Sequence, residues 1–252
     1  MQRTIPAGQT STTTYQNETF KAAGLDVLDC EKCENRGYII WRGDNFETHF
    51  RECECMAKRR SIRRIRRSNM EDMLERYTFD AYQTPDEHRR KIKERARQYI
   101  DQSDGWFYVS GRSGSGKTHI CTAVCKALID KGVETYYMDW QRESSRIRLS
   151  MKDREYYEDT MQKLCTVPAL YIDDLFKKGN EFDVKLAFEI VNARYNNKKL
   201  RTIISSEITL RGLFEVDEAL AGRIYERTRG GYAILTPNEN WRIREMEAKP
   251  QQ

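Results

Sequence analysis

The stretch Gly111-Arg-Ser-Gly-Ser-Gly-Lys117-Thr118 reads G-x-x-x-x-G-K-T, a set of residue types suited to holding phosphate. Glycines at 111, 114 and 116 let the backbone curl with its N–H groups facing an anion. Lys117 is expected to reach the β- and γ-phosphates of ATP, and Thr118 to hold Mg²⁺ through its hydroxyl. Ser113, Ser115 and His119 complete the expected nucleotide-binding run. Further on, Pro168-Ala-Leu-Tyr-Ile-Asp173-Asp174 ends an apolar stretch in two carboxylates. Asp173 suits the Mg²⁺ shell, and Asp174 suits orienting or deprotonating an attacking water. Phosphoryl transfer is mostly positioning and charge stabilisation, so more polar groups should converge on the terminal phosphate. Ser206 and Glu207 close another apolar run and are candidates to sense phosphate or water. Arg223 or Arg227 suits an arginine finger, with surface solvation the alternative for either, and Arg242 suits contact from the C-terminal side.

A second chemistry lies upstream. Cys30-Glu-Lys-Cys33 and Cys53-Glu-Cys55 flank a short strand-like segment, Gly37-Tyr-Ile-Ile-Trp41. Two close cysteine pairs brought together by a turn-back suit structural zinc. The surroundings, among them Glu31, Lys32, Arg36, Arg51 and Glu54, are too polar to bury four thiols without a metal. His49 is an alternative fourth ligand. A closed site of this kind would fold a small module and leave no position for catalysis. Cys121, Cys125 and Cys165 fall among apolar residues and read as packing.

These residues need a framework. Gly105-Trp-Phe-Tyr-Val-Ser110 suits a buried strand before the phosphate loop. Ile120, Val124, Ala127 and Leu128 then repeat at helical spacing through Asp130. A helix is expected from Pro85 through Tyr99, a strand over 133–138, and one charged helical stretch from about 141 to 164. A third strand ends at the paired acids, Phe182, Leu186, Ile190 and Ala193 mark another helix, and 200–206 forms a fourth strand. Alternating strands and helices predict an α/β fold, a parallel sheet covered on both faces. The expected division is a polar, threonine-rich arm over 1–25, a zinc-binding module over 26–57, a basic linker helix over 58–75 and an ATPase domain over 76–246. Lys58 to Arg67 carries seven basic residues in ten. It reads either as a phosphate-contacting element on DNA or as a solvated connecting helix.

With 252 residues there is room for one full domain and a smaller module. Charged residues make up 33% and hydrophobic ones 38%, the balance of a globular chain with a heavily charged surface. A formal charge of +5 is too mild to imply nucleic acid by its total alone. No apolar run reaches membrane length and the N-terminus lacks a signal-peptide core, so a cytoplasmic location is expected. In that compartment seven cysteines argue for metal or packing over disulfides.

Taken in order, the cysteine pairs ahead of a basic segment, Tyr77-Thr-Phe-Asp, Gly111 to Thr118, Tyr171-Ile-Asp-Asp-Leu, Ile203-Ile-Ser-Ser-Glu, Asp217 to Arg227 and Asn240-Trp-Arg242 resemble the DnaC-like helicase loaders of the AAA+ class, especially those of phages and prophages. The resemblance covers about Cys30 to Arg242. It implies an AAA+ ATPase that binds the hexameric replicative helicase and helps place it on single-stranded DNA. It also implies that the cysteine module grips the helicase and that the ATPase domain assembles into a homo-oligomeric spiral. By the same resemblance Arg223 is the finger offered in trans, Arg242 the second sensor, and Arg142, Arg146 and Arg148 lie on a helix that touches DNA. Asp174 stands where most AAA+ ATPases have glutamate, which suggests slow turnover, and Glu207 stands where many relatives have asparagine. The alternatives are a transposition regulator ATPase of the IstB type and a nucleotide-gated adaptor that scarcely hydrolyses ATP.

Overall fold

A computed structural model describes residues 30–43, 45–67, 71–102, 104–177, 179–237 and 240. The arm expected over 1–25 and Arg242 lie outside them. The chain divides after Arg60 into two units.

In the first unit β1 (Tyr38–Arg42) and β2 (Thr48–Glu52) form an antiparallel hairpin with Ile40 opposite Phe50. The Cys53 N–H donates to the Gly37 carbonyl at 2.8 Å, which returns the second cysteine pair to the level of the first. Helix α1 (Cys55–Arg67) begins at the last of these cysteines and carries the chain across the division. The basic segment is therefore helical, but its helix starts three residues before the linker expected from charge alone.

The second unit holds α2 (Glu71–Arg76), α3 (Glu87–Asp101), β3 (Trp106–Ser110), α4 (Lys117–Asp130), β4 (Thr135–Asp139), α5 (Trp140–Leu149), α6 (Arg154–Thr166), β5 (Ala169–Leu175), α7 (Glu181–Tyr195), β6 (Arg201–Ser206), α8 (Leu210–Val216), α9 (Glu218–Arg227) and β7 (Ala233–Leu235). Its sheet runs β7-β3-β6-β5-β4 with every neighbouring pair parallel. Strands of such a sheet are apolar on both faces because helices cover both. Accordingly Trp106, Tyr108, Leu170, Ile172 and Ile204 join one core with residues of α5, α6, α7 and α9. Their strand neighbours Phe107, Val109, Tyr171 and Ile203 join the other core with α3 and α4.

Three details differ from expectation. Asp86, whose carboxylate accepts from Arg89 N–H, caps α3, so that helix starts after Pro85 rather than at it. The charged stretch after Trp140 is two helices, because Asp153 caps a new start through the Tyr156 N–H at 3.1 Å. Strand β7 was not expected; three residues of Ala-Ile-Leu give no readable period.

Arg194, fully buried on α7, knits the far edge together without a carboxylate. Its guanidinium donates to Thr202 Oγ1 and to the carbonyls of Leu164, Val167 and Arg201 at 2.6–3.0 Å. Burial brings its pKa down to about 10.

Candidate nucleotide and metal sites

The phosphate loop follows β3 and opens α4, as its sequence context requires. Gly116 is the residue ahead of the helix and holds φ at +93°, where a side chain is strained. Gly114 has φ +78°, a conformation that strains a side chain, and a Cβ there would also push the Asn240 side chain aside, lying 2.0 Å from its Oδ1. Ser115 does not face the pocket. Its buried hydroxyl bonds Thr236 Oγ1 at 2.6 Å, and Thr236 in turn bonds the Ser110 carbonyl, tying the loop to β3 and the end of β7.

A pocket of about 400 Å³ opens over this loop. Ser113, Gly114, Gly116, Lys117, Thr118 and His119 line it on one side, with Asp174 and Lys177 across from them. Lys117 donates to the Arg112 carbonyl at 2.9 Å. Burial pulls its pKa down, against the upward pull of Asp174, Glu207 and Asp173. The remaining wall is Arg76, Tyr77, Ala81, Tyr82 and Gln83. Here Tyr77 stacks on His119 at 4.9 Å, and Tyr82 meets the same ring edge-on at 5.2 Å. The His119 ring nitrogen Nε2 lies 2.9 Å from the Thr78 carbonyl, and burial lowers its pKa. Tyr82 is 5% exposed, yet its hydroxyl has no hydrogen-bond partner among the described residues. That orphaned group and the glycine cradle both fit a polar ligand such as a nucleoside triphosphate. Aromatic residues in a loop carry no period that points to a pocket, so Tyr77 and Tyr82 are not legible as pocket residues from the sequence.

Asp173 lies near the C-terminal end of β5 and is held by four hydroxyls: Ser205, Tyr171 at 2.7 Å, Tyr137 at 3.2 Å and Thr118 at 3.3 Å. Burial raises its pKa, while the Ser205, Tyr171 and Tyr137 hydroxyls oppose that rise. The Thr118 and Asp173 oxygens stand close enough to share one hard cation such as Mg²⁺. Asp174 lies in the left-handed region at φ +56°, and its carboxylate meets the Lys177 ammonium at 2.8 Å. Glu207 is 3.8 Å from the same ammonium.

Ser206 stands apart from this group. Its hydroxyl donates to the Leu175 carbonyl at 2.9 Å and accepts from Ile208 N–H. Ser205 is the serine that touches Asp173, and it also accepts from Asp174 N–H at 2.9 Å. An irregularity between Ile172 and Leu175 shifts the β5–β6 register here. Strand alternation could have found Tyr171, two residues before Asp173 on the same face. It could not have chosen between two adjacent serines across a bulge.

Neither arginine candidate lines the pocket. Arg223 donates to Asn192 Oδ1 at 3.0 Å and to the Ala219 carbonyl at 2.8 Å, over the rings of Phe188 and Tyr195. Arg227 is committed to the Lys198 carbonyl at 2.9 Å and lies over Trp106.

In the first unit the sulfurs of Cys30, Cys33, Cys53 and Cys55 all lie within 4.8 Å of one another. Two of the separations are 3.8 Å (Cys30–Cys53) and 3.6 Å (Cys33–Cys55). A tetrahedral zinc with Zn–S of about 2.3 Å sets sulfurs about 3.8 Å apart, so the cluster fits that ion. Burial raises the Cys30 thiol, but hydrogen bonds from Cys33 and the neighbouring thiols outweigh it and bring the pKa to about 7. Burial pushes Cys55 up to about 12. His49 is not in the cluster; it stacks on Trp41 at 5.4 Å. Cys121 and Cys125 are fully buried and Cys165 packs against the core, as packing residues should.

A parallel sheet with a phosphate loop after one strand and paired acids on a strand two places away is the framework of a P-loop NTPase of the AAA+ class. The sequence model described as "IstB-like ATP binding protein" matches residues 47–247, so the chain belongs to that family of ATP-binding proteins. The chain is 28% identical over 205 residues to the uncharacterized protein YqaM of Bacillus subtilis (strain 168), covering 75% of this chain and 64% of YqaM. It spans less than two thirds of that relative's length. Over 214 residues it is 28% identical to the phage-like element PBSX protein XkdC of the same organism, with 79% of each chain covered. It is 23% identical to the replicative helicase loader DnaC of Escherichia coli (strain K12), over 68% of this chain and 71% of DnaC. Among solved structures, a DNA replication initiation factor superposes with TM-score 0.55 at 19% identity, over 70% of this chain and 57% of that one. The DnaC helicase loader superposes with TM-score 0.54 at 22% identity, over 65% and 98%. None of the helices among the described residues is long and apolar enough to cross a membrane.

Proposed function

We propose that the chain is an ATPase that loads the hexameric replicative helicase onto single-stranded DNA. The observation that carries this reading is the phosphate cradle facing Asp173 and Asp174, in a chain whose relatives include a replicative helicase loader. Lys117 would meet the β- and γ-phosphates once it leaves the Arg112 carbonyl. Thr118 and Asp173 would hold Mg²⁺, which supplies charge neutralisation at the phosphates. Asp174 would orient the attacking water, helped by Glu207 and by a serine at the end of β6. Tyr77, Tyr82 and His119 would hold the base side of the nucleotide. Arg223, turned away from its own pocket, would serve a neighbouring copy in a homo-oligomer, and Arg242 would act as second sensor. The cysteine module would bind zinc and the helicase, and Arg142, Arg146 and Arg148 on α5 would meet DNA phosphates.

The family description favours a second reading, a transposition ATPase of the IstB type. Co-purification with the organism's replicative helicase, with ATP and after Lys117→Ala, separates the two. A complex whose stoichiometry changes with nucleotide in the wild type, and not in Lys117→Ala, supports the loader. DNA binding without any helicase complex supports the transposition ATPase. Turnover against Asp174→Asn tests hydrolysis; asparagine tolerates the left-handed backbone at 174, so that variant keeps the turn. Equal inertness of both proteins, with helicase binding retained, would leave a nucleotide-gated adaptor.

A further inference from the structure

The turn after β5 connects two pockets of the second unit. Asp174 and Phe176 both lie in the left-handed region, at φ +56° and +63°, which is unfavourable for residues with side chains. The turn is nevertheless fixed: Lys177 N–H donates to the Asp174 carbonyl at 3.0 Å, and the Phe176 ring meets Trp140 of α5 edge-on at 5.8 Å. Lys177 closes the turn. Its side chain lines the nucleotide pocket and also a second pocket of about 110 Å³ between α5 and α7.

That second pocket is rich in groups that can bind an anion. Arg148 lines it and has no ion-pair or hydrogen-bond partner among the described residues, whereas Arg142 and Arg146 are both near Glu143. Ser144 contributes a hydroxyl, whereas the Ser145 hydroxyl donates to the Gln141 carbonyl at 2.9 Å. Trp140 also lines it at 1% exposure, with its indole N–H buried and without a partner among the described residues. The carboxylate present, Asp183, already accepts from Asn180 N–H at 2.9 Å in the cap of α7. Two cations, Lys177 and Arg148, and the Ser144 hydroxyl suit an oxyanion of phosphate size.

We propose that this pocket takes a backbone phosphate of single-stranded nucleic acid, and that Lys177 is the shared cation through which its binding frees the carboxylate of Asp174. The phosphate comes from a strand because the pocket lies along α5, beside the exposed Arg142 and Arg146. As Lys177 moves toward the strand, Asp174 loses its ammonium partner and can accept a hydrogen bond from water. Lys177 is thus a positioning residue, and this consequence for turnover rests on the ATPase reading above. The linkage itself does not.

Coupling of this kind is reciprocal. If a strand competes with Asp174 for Lys177, neutralising Asp174 must tighten strand binding. Anisotropy of a labelled oligothymidylate on the full chain with ADP should show Asp174→Asn binding about two- to fivefold tighter, the scale of a partly exposed ion pair. Lys177→Met should bind more weakly and erase the effect of Asp174→Asn, and Arg148→Ser should also weaken binding. In ATP turnover, the oligonucleotide should accelerate the wild type, while Lys177→Met should start faster and no longer respond. Equal oligonucleotide affinity for Asp174→Asn and wild type, or no oligonucleotide binding at all, overturns the proposal. Inorganic phosphate that displaces the oligonucleotide and shows the same Asp174→Asn tightening would overturn a strand as the ligand. Linkage without any turnover would sink the ATPase reading and leave this inference standing; turnover without linkage would do the reverse.

Discussion

Ser205 and Ser206 are adjacent, fully buried and differently bonded, so replacing each by alanine separates packing from chemistry. Ser205→Ala removes a bond to Asp173 and the acceptor for Asp174 N–H. Ser206→Ala removes a bond to the Leu175 carbonyl and the acceptor for Ile208 N–H. Two lost hydrogen bonds, one leaving a buried group unsatisfied, amount to roughly 2–4 kcal/mol in either variant. At about 2–4 °C per kcal/mol for a unit of this size, melting should fall by roughly 5–15 °C in both. Only Ser205→Ala alters Asp173. Burial raises that carboxyl above the ordinary aspartate value of 3.8, and the Ser205 hydroxyl opposes the rise. Losing the hydroxyl therefore raises the pKa further. A group whose folded pKa is raised contributes stability present below 3.8 and lost as pH rises through the folded pKa. The deficit of Ser205→Ala against wild type should therefore grow between about pH 4 and neutrality, whereas that of Ser206→Ala should not follow this group. The acid limb of ATP turnover, which needs ionised Asp173, should likewise move to higher pH in Ser205→Ala alone. Thermal melting and turnover across pH would check both; a limb that moves only in Ser206→Ala refutes the assignment.

Three further outcomes are expected. Arg194→Met should destabilise the second unit by about 3–5 kcal/mol in urea unfolding, since three carbonyls and the Thr202 hydroxyl lose their donor in a buried place. Tyr82→Phe should leave stability unchanged or raise it by up to about 1 kcal/mol, because its buried hydroxyl has no partner to lose among the described residues, while calorimetry should show weaker nucleotide binding if that hydroxyl meets the ligand. Cys53→Ser should abolish one equivalent of zinc measured by elemental analysis, and chelation should unfold the first unit in circular dichroism while the melting of the second unit holds.

What the sequence determined by itself is what depends on local chemistry. Glycines at fixed offsets before Lys117 and Thr118 allow only a backbone that curls around an anion, and the flanking apolar runs had to be strand and helix. Close cysteine pairs in polar surroundings similarly declared a thiol cluster, though not that His49 would stack on Trp41 instead of joining it. Alternation of strands and helices was enough for a parallel sheet covered on both faces. Tertiary structure decided which side chains from distant segments meet. Tyr137, Tyr171, Ser205 and Thr118 converge on Asp173 because three parallel strands and the start of α4 end at one edge of the sheet. The choice of Ser205 over Ser206 rests on a register shift between β5 and β6, which depends on how two strands whose Asp173 and Ser205 are 32 residues apart seat against each other and leaves no mark in either strand's own sequence.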